Sequence, residues 1–396
     1  MCWSEAVMIR GVLPRWVYVT VIGLTLIISG CTAAPGRAPQ GGPPPSASAG
    51  ALPSECTGPI TNPDQASAAL RQAGPGALVC LSGDGLTDAE LVLTHSGTPQ
   101  QPITVIADGA TARSMTIKAD YVVIQGLTLR DGDGLTMTGR GLVARNNLIY
   151  NAAANGLECS GCADTIIESN TVQRADGTGI WVSGEEITIR NNTISESVAR
   201  TQRDADGVRF FGNGHRLIQN TIKDIKAGGY NGEGPHTDCF QTFNTAANPP
   251  TYDVVIADNV CTNVDVQCLI ATNDERDAAG ASRGQNAILF EGNTCAVHGA
   301  QAVLLRNYPD VIVRGNRFSG PGDRAVMLTE GSTGCAVIAN TVAGRMRQFE
   351  IDPQSKPGFQ TSGDPRGDLR DRGGPRPDQP DIGQPPDDDH HQYGPR

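Results

Sequence analysis

The residues best suited to chemistry in this 396-residue chain lie in two short runs, Asp204-Ala205-Asp206 and His236-Thr237-Asp238, with Arg209 just beyond the first. Two carboxylates held close together push their pKa values apart or recruit a cation. Asp206 and Asp238 therefore read either as an acid/base pair or as oxygen ligands to Ca²⁺. His236 can take or give a proton near neutral pH. Arg209 can clamp a substrate carboxylate through paired hydrogen bonds. A structural reading stands beside this one. Asp in the turn before a strand commonly caps backbone N–H groups, as Asp133 would in a shorter repeat. His215 falls at an inward position one repeat after Ile187 and reads as a buried structural histidine.

Runs so far apart in sequence meet only if the chain repeats. An apolar alternation interrupted by Asn recurs at Asn147, Asn170, Asn192, Asn220, Asn259, Asn293, Asn316 and Asn340, with spacings of 23, 22, 28, 39, 34, 23 and 24. A second register runs through Asn155-Gly156-Leu157-Glu158-Cys159, Thr178-Gly179-Ile180-Trp181-Val182 and Asp206-Gly207-Val208-Arg209-Phe210. It continues through Asp238-Cys239-Phe240-Gln241-Thr242 and Gln267-Cys268-Leu269-Ile270-Ala271. Alternation points the third and fifth positions of each run inward and the second and fourth outward.

Two or three short strands per coil of about 22 residues make a parallel β-solenoid, with coils ~4.8 Å apart. Asp206 and Asp238 occupy one slot on neighbouring coils, so they should stack. The outward column Glu158, Trp181, Arg209, Gln241 then forms a shallow groove with an aromatic platform, and Arg203 lies beside it. Three coils are enlarged, by residues 195–205, 226–237 and 273–285, and loops grown on a repeat scaffold concentrate function.

Composition agrees with many short strands. Gly is 48 of 396 residues, aromatics are 5% and charged residues 18%. A net charge of −11 without a long Lys/Arg run excludes the concentrated basic footprint that nucleic-acid binding needs. Thr61-Asn62-Pro63 opens a short helix through Ala73, able to cover the first coil. The fold expected is all-β: a right-handed parallel β-helix of about ten coils with an N-terminal capping helix over 55–350.

This pattern resembles the pectate-lyase-like superfamily. Ala77-Leu78-Val79-Cys80-Leu81, Pro102-Ile103-Thr104-Val105 and Val123-Ile124-Gln125-Gly126-Leu127 look like the opening coils of chondroitinase B and related alginate lyases over residues 60–130. Beyond that the chain departs from them: it has neither their Lys-Ser-x-x-Asn segment nor their Arg-His-Gly, so their catalytic residues do not carry over. His236-Thr237-Asp238 faintly resembles the Asn-Thr-Asp of polygalacturonases. No Asp-Asp pair follows it in the body, and Gly214-His215-Arg216 precedes it.

The ends have their own character. Arg10 and Arg15 precede an apolar run from Trp16 to Ile28, too short for a comfortable transmembrane helix. Ile28-Ser29-Gly30-Cys31 resembles a bacterial lipobox, which implies a signal segment over 1–31 and a lipid on Cys31. Residues 32–54, rich in Pro, Gly and Ser, read as a tether. Residues 351–396 read as a disordered tail, with nine Pro and eight Asp from Pro353 onward. The chain is thus expected outside the cytoplasm, held to the membrane by lipid alone, and monomeric.

Outside the cytoplasm the cysteines should pair. Stacking suggests Cys239–Cys268 and Cys261–Cys295, a cap tie Cys56–Cys80 and a turn closure Cys159–Cys162, leaving Cys335 buried and unpaired. A zinc site at Cys159-Ser160-Gly161-Cys162 would need two further ligands at useful spacing, and none is present.

Together these features suggest an enzyme on an extended polysaccharide, foremost a lyase that cleaves at uronic acids by β-elimination. Hydrolysis, C5 epimerisation and catalytically silent glycan binding remain open alternatives on the same scaffold.

Overall fold

The computed structural model describes residues 54–201, 204–230, 234–244, 248–273 and 287–361, all within the larger of the chain's two units, residues 37–396. Cys31, its flanking segments and residues 362–396 lie outside the described residues. Among the described residues, no helix is long and apolar enough to cross a membrane.

The described residues form one α-helix, one short 3-10 turn at Asp84–Leu86 and twenty-nine strands. The strands pair in parallel with their counterparts one coil before and one coil after. The Val208–Asn213 strand, for example, lies between Ile180–Arg190 and Asp238–Asn244. This is the expected parallel solenoid. The helix spans Pro63–Gln72, and the Asn62 side chain caps it by accepting from the N–H groups of Asp64 and Gln65 at 2.9 and 3.3 Å. Ala66 and Leu70 are fully buried against the first coil.

Inward columns hold the coils together. Leu135, Leu157, Ile180, Val208, Phe240, Leu269, Val303 and Val326 stack in register, each 0% exposed. Burying side chains of this size stabilises by about 1.5–3 kcal/mol each before entropy is counted.

A second column is polar. The backbone N–H of each ladder Asn, from Asn147 to Asn316, donates to Oδ1 of the next ladder Asn at 2.8–3.0 Å. Each side-chain amide donates to a backbone carbonyl one coil earlier, as Asn259 does to Leu217 at 2.9 Å. The left-handed backbone that makes the turn falls on the preceding residue: Asn146, Ser169, Asn191, Gln219, Asp258 and even Ala339 have φ between 52° and 57°. The ladder Asn itself is therefore chosen for its amide rather than for tolerance of positive φ.

The structure corrects the second position of the repeated strand, which points inward rather than outward. A Cβ on Gly156, Gly179 or Gly207 would come within 2.3–2.6 Å of Val172, Ile194 or Ile222 across the interior. The chain is still rounding the corner there, so alternation starts one residue later. The next coils place Cys239 and Cys268 in this slot, and Cys261 and Cys295 in the column that held Ile222.

The disulfides follow from that geometry. Cys239 bonds Cys261, and Cys268 bonds Cys295, each across the interior of one coil with Cα atoms 6.3 and 5.9 Å apart. The expected Cys239–Cys268 and Cys261–Cys295 pairs are replaced. In-register neighbours keep their Cβ atoms parallel and ~4.8 Å apart, wider than the ~3.8 Å a disulfide wants. Cys56–Cys80 and Cys159–Cys162 are bonded, and Cys335 is buried and free.

The solenoid also runs past residue 350. Arg347–Ile351 and Gln360–Thr361 complete another coil, with Gln360 and Thr361 in register with Ala336 and Val337. Residues 351–361 thus belong to the body rather than to a tail. Phe359 packs on Phe349 at 4.9 Å between ring centroids, which supplies the apolar contact this turn needs.

Candidate functional site

The two acidic runs meet because the enlarged coils rejoin register just before their strands. Asp204 and His236 form a parallel bridge; the Ala205 N–H donates to the His236 carbonyl at 2.8 Å, and the Gly207 N–H to the Asp238 carbonyl at 2.7 Å. Asp204 therefore sits beside His236, and Asp206 beside Asp238. Asp176 secures the loop that leads in, accepting from the Arg200 N–H at 2.6 Å and the Thr201 hydroxyl at 2.7 Å.

Each buried carboxylate divides its oxygens between two tasks. Asp206 Oδ1 accepts from the Asp238 N–H at 3.0 Å, and Asp238 Oδ1 accepts from the Gln267 N–H at 2.8 Å. Asn155 does the same for the Thr178 N–H at 3.0 Å, so this is a short second ladder. The capping role of Asp before a strand is realised here. The other oxygens face cations: Asp206 Oδ2 accepts from Arg209 Nη2, which also donates to Asp204 at 2.7 Å. His236 Nδ1 lies 2.9 Å from Asp238 Oδ2.

Accessibility separates these groups. Asp206 and Asp238 are 0% exposed and Arg209 16%, whereas Asp204 is 35% and His236 48% exposed. Burial drives the Asp206 pKa up to about 7 against the pull of Arg209, and burial also raises Asp238 despite His236. The hydrogen bond to Asp238 raises His236 to about 9 against partial burial. Burial opposes the Arg209 charge, but Asp206 and Asp204 outweigh it and raise its pKa. His236 accordingly rests as an imidazolium at neutral pH.

These shifts have a consequence for stability. A group that binds its proton more tightly when folded stabilises below its unfolded pKa, and that stabilisation is lost as pH climbs through the folded value. Asp206 should therefore cost stability as pH rises from about 4 to about 7. Asp206→Asn keeps the Oδ1 acceptor and should flatten the fall of the melting temperature over that interval. An equal slope in variant and wild type would contradict the assignment.

The outward column is in register as expected, Glu158 beside Trp181, Trp181 beside Arg209, and Arg209 beside Gln241. Glu158 accepts from the Asn155 amide at 3.0 Å. Arg203 lies outside the described residues. Phe243, which is half-buried, extends the aromatic platform, and the fully buried Phe211 backs it, in contact with both Trp181 and Phe243. Phe211 lies 5.6 Å from Trp181 and 5.0 Å from Phe243 between ring centroids, and the Arg209 guanidinium sits 5.6 Å over Phe243. Continuing the alternation two residues past Arg209 and Gln241 would have found both rings.

The first two enlargements lead into the strands of this face, Val208–Asn213 and Asp238–Asn244, whereas residues 274–286 of the third lie outside the described residues. His215 is 0% exposed and stands apart from the cluster. Its Nε2 lies 2.9 Å from the Phe211 carbonyl, its Nδ1 accepts from the Ile187 N–H at 3.2 Å, and burial lowers its pKa to about 4. It is a neutral structural histidine.

The Asp206–Asp238 pair does not fit a Ca²⁺ site in this arrangement. All four carboxylate oxygens already accept N–H groups, two of them from Arg209 and His236. A divalent cation would have to displace cations and break the ladder.

Residues 112–238 match a family model described as a right handed beta helix region. No curated protein matches the chain by sequence. Among solved structures, the chain resembles the catalytic unit of a thermostable GH87 alpha-1,3-glucanase from Streptomyces thermodiastaticus. The identity is 14% over 80% of this chain and 69% of that one, with a TM-score of 0.55. It also resembles a tailspike protein of E. coli bacteriophage HK620 in complex with a hexasaccharide, at 12% identity over 77% and 62%, with a TM-score of 0.51. An alginate lyase from Paenibacillus sp. is matched at 17% identity over 76% and 96%, with a TM-score of 0.45. The chain spans about 60% of the length of the first tailspike protein it matches. At these identities the first two likenesses show the fold alone, a right-handed parallel β-helix.

Proposed function

We propose that this right-handed β-helix acts on a polysaccharide laid across the Trp181–Gln241 face and cleaves it at a uronic acid by β-elimination, with His236 as the base. The observation that carries this is the placement of His236. It is the most exposed proton-exchanging group of the cluster, and the buried Asp238 behind it strengthens its basicity. A base of pKa near 9 is better matched than an ordinary imidazole to the weakly acidic C5 proton of a uronate.

In the proposed step His236 Nε2 takes the C5 proton, and the freed electron pair forms the C4–C5 double bond. The C4–O4 bond breaks, and O4 departs with a proton drawn from solvent. Trp181 and Phe243 offer ring faces to the sugar. Arg209 Nε and Gln241 Oε1 are buried without protein partners beneath this face. The burial of Asp206 and Asp238 argues against hydrolysis by that pair, since both carboxyls must reach the glycosidic bond. No step calls for Ca²⁺.

The reading further places the domain outside the cytoplasm on a lipid-bearing Cys31. Its test is a screen of purified protein against uronate polymers, with and without chelator. New ultraviolet absorbance from unsaturated ends, indifferent to chelator, is expected. New reducing ends without that absorbance would mean hydrolysis and overturn the lyase reading. In cells, Cys31→Ala should move the protein from the membrane pellet to the soluble fraction; a wild type already soluble would sink the anchor.

A further inference from the structure

We propose that Cys239 and Cys261 are positioning residues of the site: their disulfide holds Asp238 against His236, so the pair is complete only in the oxidised chain. This rests on the reading of His236 as the base. Cys239 directly follows Asp238, and Cys268 directly follows Gln267, whose N–H donates to Asp238 Oδ1 at 2.8 Å. Both disulfides therefore start at the backbone that aims the carboxylate, and both end on the opposite wall, at Cys261 and Cys295.

The plainer coils show what the bonds replace. Gly156 faces Val172 across the interior, Gly179 faces Ile194 and Gly207 faces Ile222, pairs 15 or 16 positions apart that pack without a covalent tie. Cys239 and Cys261 are 22 positions apart, and Cys268 and Cys295 are 27. The added length follows the strands of the face. In earlier coils the chain passes that corner as one strand, Ile180–Arg190, or resumes two residues after Asn213 at Arg216. After Asn244, nine residues intervene before Val254. The Asp238–Asn244 strand is also loosely laddered to the coil before it, in register only at Val208–Phe240 and Arg209–Gln241. The preceding pair keeps register without a break from Ile180–Val208 to Glu185–Asn213. Among the described residues, disulfides cross the interior in these two lengthened coils alone. A tie removes more chain freedom the longer the connection it closes.

Asp238 bears the consequence. Bonded sulfurs sit about 2 Å apart, whereas free thiols keep the ordinary non-bonded separation of roughly 3.5–4 Å. Without the bond, the wall carrying Cys239 moves outward by about 1 Å or more. That shift falls one residue from a carboxylate lying 2.9 Å from His236 Nδ1. A misplacement of about 1 Å costs about 10²-fold in rate. All four cysteines are 0% exposed, so the bonds belong to folding rather than to a later switch. As each forms, two thiols give two electrons and two protons to a disulfide oxidant, which departs as a dithiol.

The test is an NMR titration of the His236 imidazole, assigned by its loss in His236→Gln. It needs no substrate, so it stays readable if the lyase reading fails. Cys239→Gly with Cys261→Ile transplants the Gly207–Ile222 pair and fills the interior without a bond. This chain should fold, with the His236 pKa at least about one pH unit below the wild-type value of about 9. Cys56→Ala with Cys80→Ala, which removes the tie to the cap, should leave that value unchanged. On a cleaved polymer, the first variant should lose about 10²-fold in kcat above about pH 9 at unaltered KM. An unmoved pKa or kcat in the folded variant, or an equal shift in the cap variant, would overturn the inference. Should Cys239→Gly with Cys261→Ile not fold, Cys239→Ala with Cys261→Val takes its place. If neither folds, the disulfide serves the coil at large and the proposal falls.

Discussion

Asp238→Asn should leave a folded protein that turns over its polysaccharide roughly 10²-fold more slowly above pH 9, where His236 is deprotonated in both enzymes, the low end of the range for a positioned acid/base group. The substitution keeps an oxygen for the Gln267 N–H, so the ladder bond at 2.8 Å survives. What disappears is the carboxylate 2.9 Å from His236 Nδ1, whose hydrogen bond is the largest influence raising the ring to about 9. The pH–rate profile distinguishes this from general damage. In the wild type the rate should climb about tenfold per pH unit up to about 9, as His236 loses its proton. In the variant that limb should move toward the ordinary histidine value of about 6.5. A variant that is slow but has an unmoved limb would show that Asp238 acts on something other than His236.

Asn259→Ala should produce the largest loss of stability among single substitutions in the ladder. Asn259 Oδ1 accepts from both the backbone N–H and the side-chain amide of Asn220, at 2.8 and 3.0 Å. Its own amide donates to the Leu217 carbonyl and to Asn293 Oδ1, both at 2.9 Å. All of these groups are buried, so truncation orphans several polar atoms at once, each costing ~1–3 kcal/mol. A total of roughly 3–6 kcal/mol is expected by denaturant titration. Asn259→Asp keeps the acceptor but cannot donate, and should fall between Ala and wild type. A loss below about 1 kcal/mol for Asn259→Ala would mean that the ladder is decoration on a core held by its aliphatic columns.

The ladder was fully legible in the sequence. Eight asparagines, each set between apolar residues of the same alternating pattern, specify one turn repeated coil after coil. The register they impose stacks Asp206 beside Asp238, 32 positions apart in the chain. The column Glu158, Trp181, Arg209, Gln241 was legible for the same reason. Period-two alternation carries a side chain's face along a strand as long as the strand stays regular. It failed at Gly207 and Cys239, where the chain is still turning a corner. The inward slot there accounts for both the small residues and the transverse disulfides. It also stopped short at Phe211 and Phe243, which continue the same alternation two residues farther along.

What the amino-acid sequence determined by itself is the repeat, and with it which residues become neighbours along the axis, because spacing and alternation are local and additive from coil to coil. Only the tertiary structure decided what those neighbours do. It buried Asp206 and Asp238 completely while leaving His236 half open, tied Arg209 to two carboxylates, and sent Cys239 across the interior to Cys261. Burial and the direction of a side chain at a corner depend on loops and opposite walls that approach from elsewhere in the coil. A one-dimensional pattern carries no record of those distances.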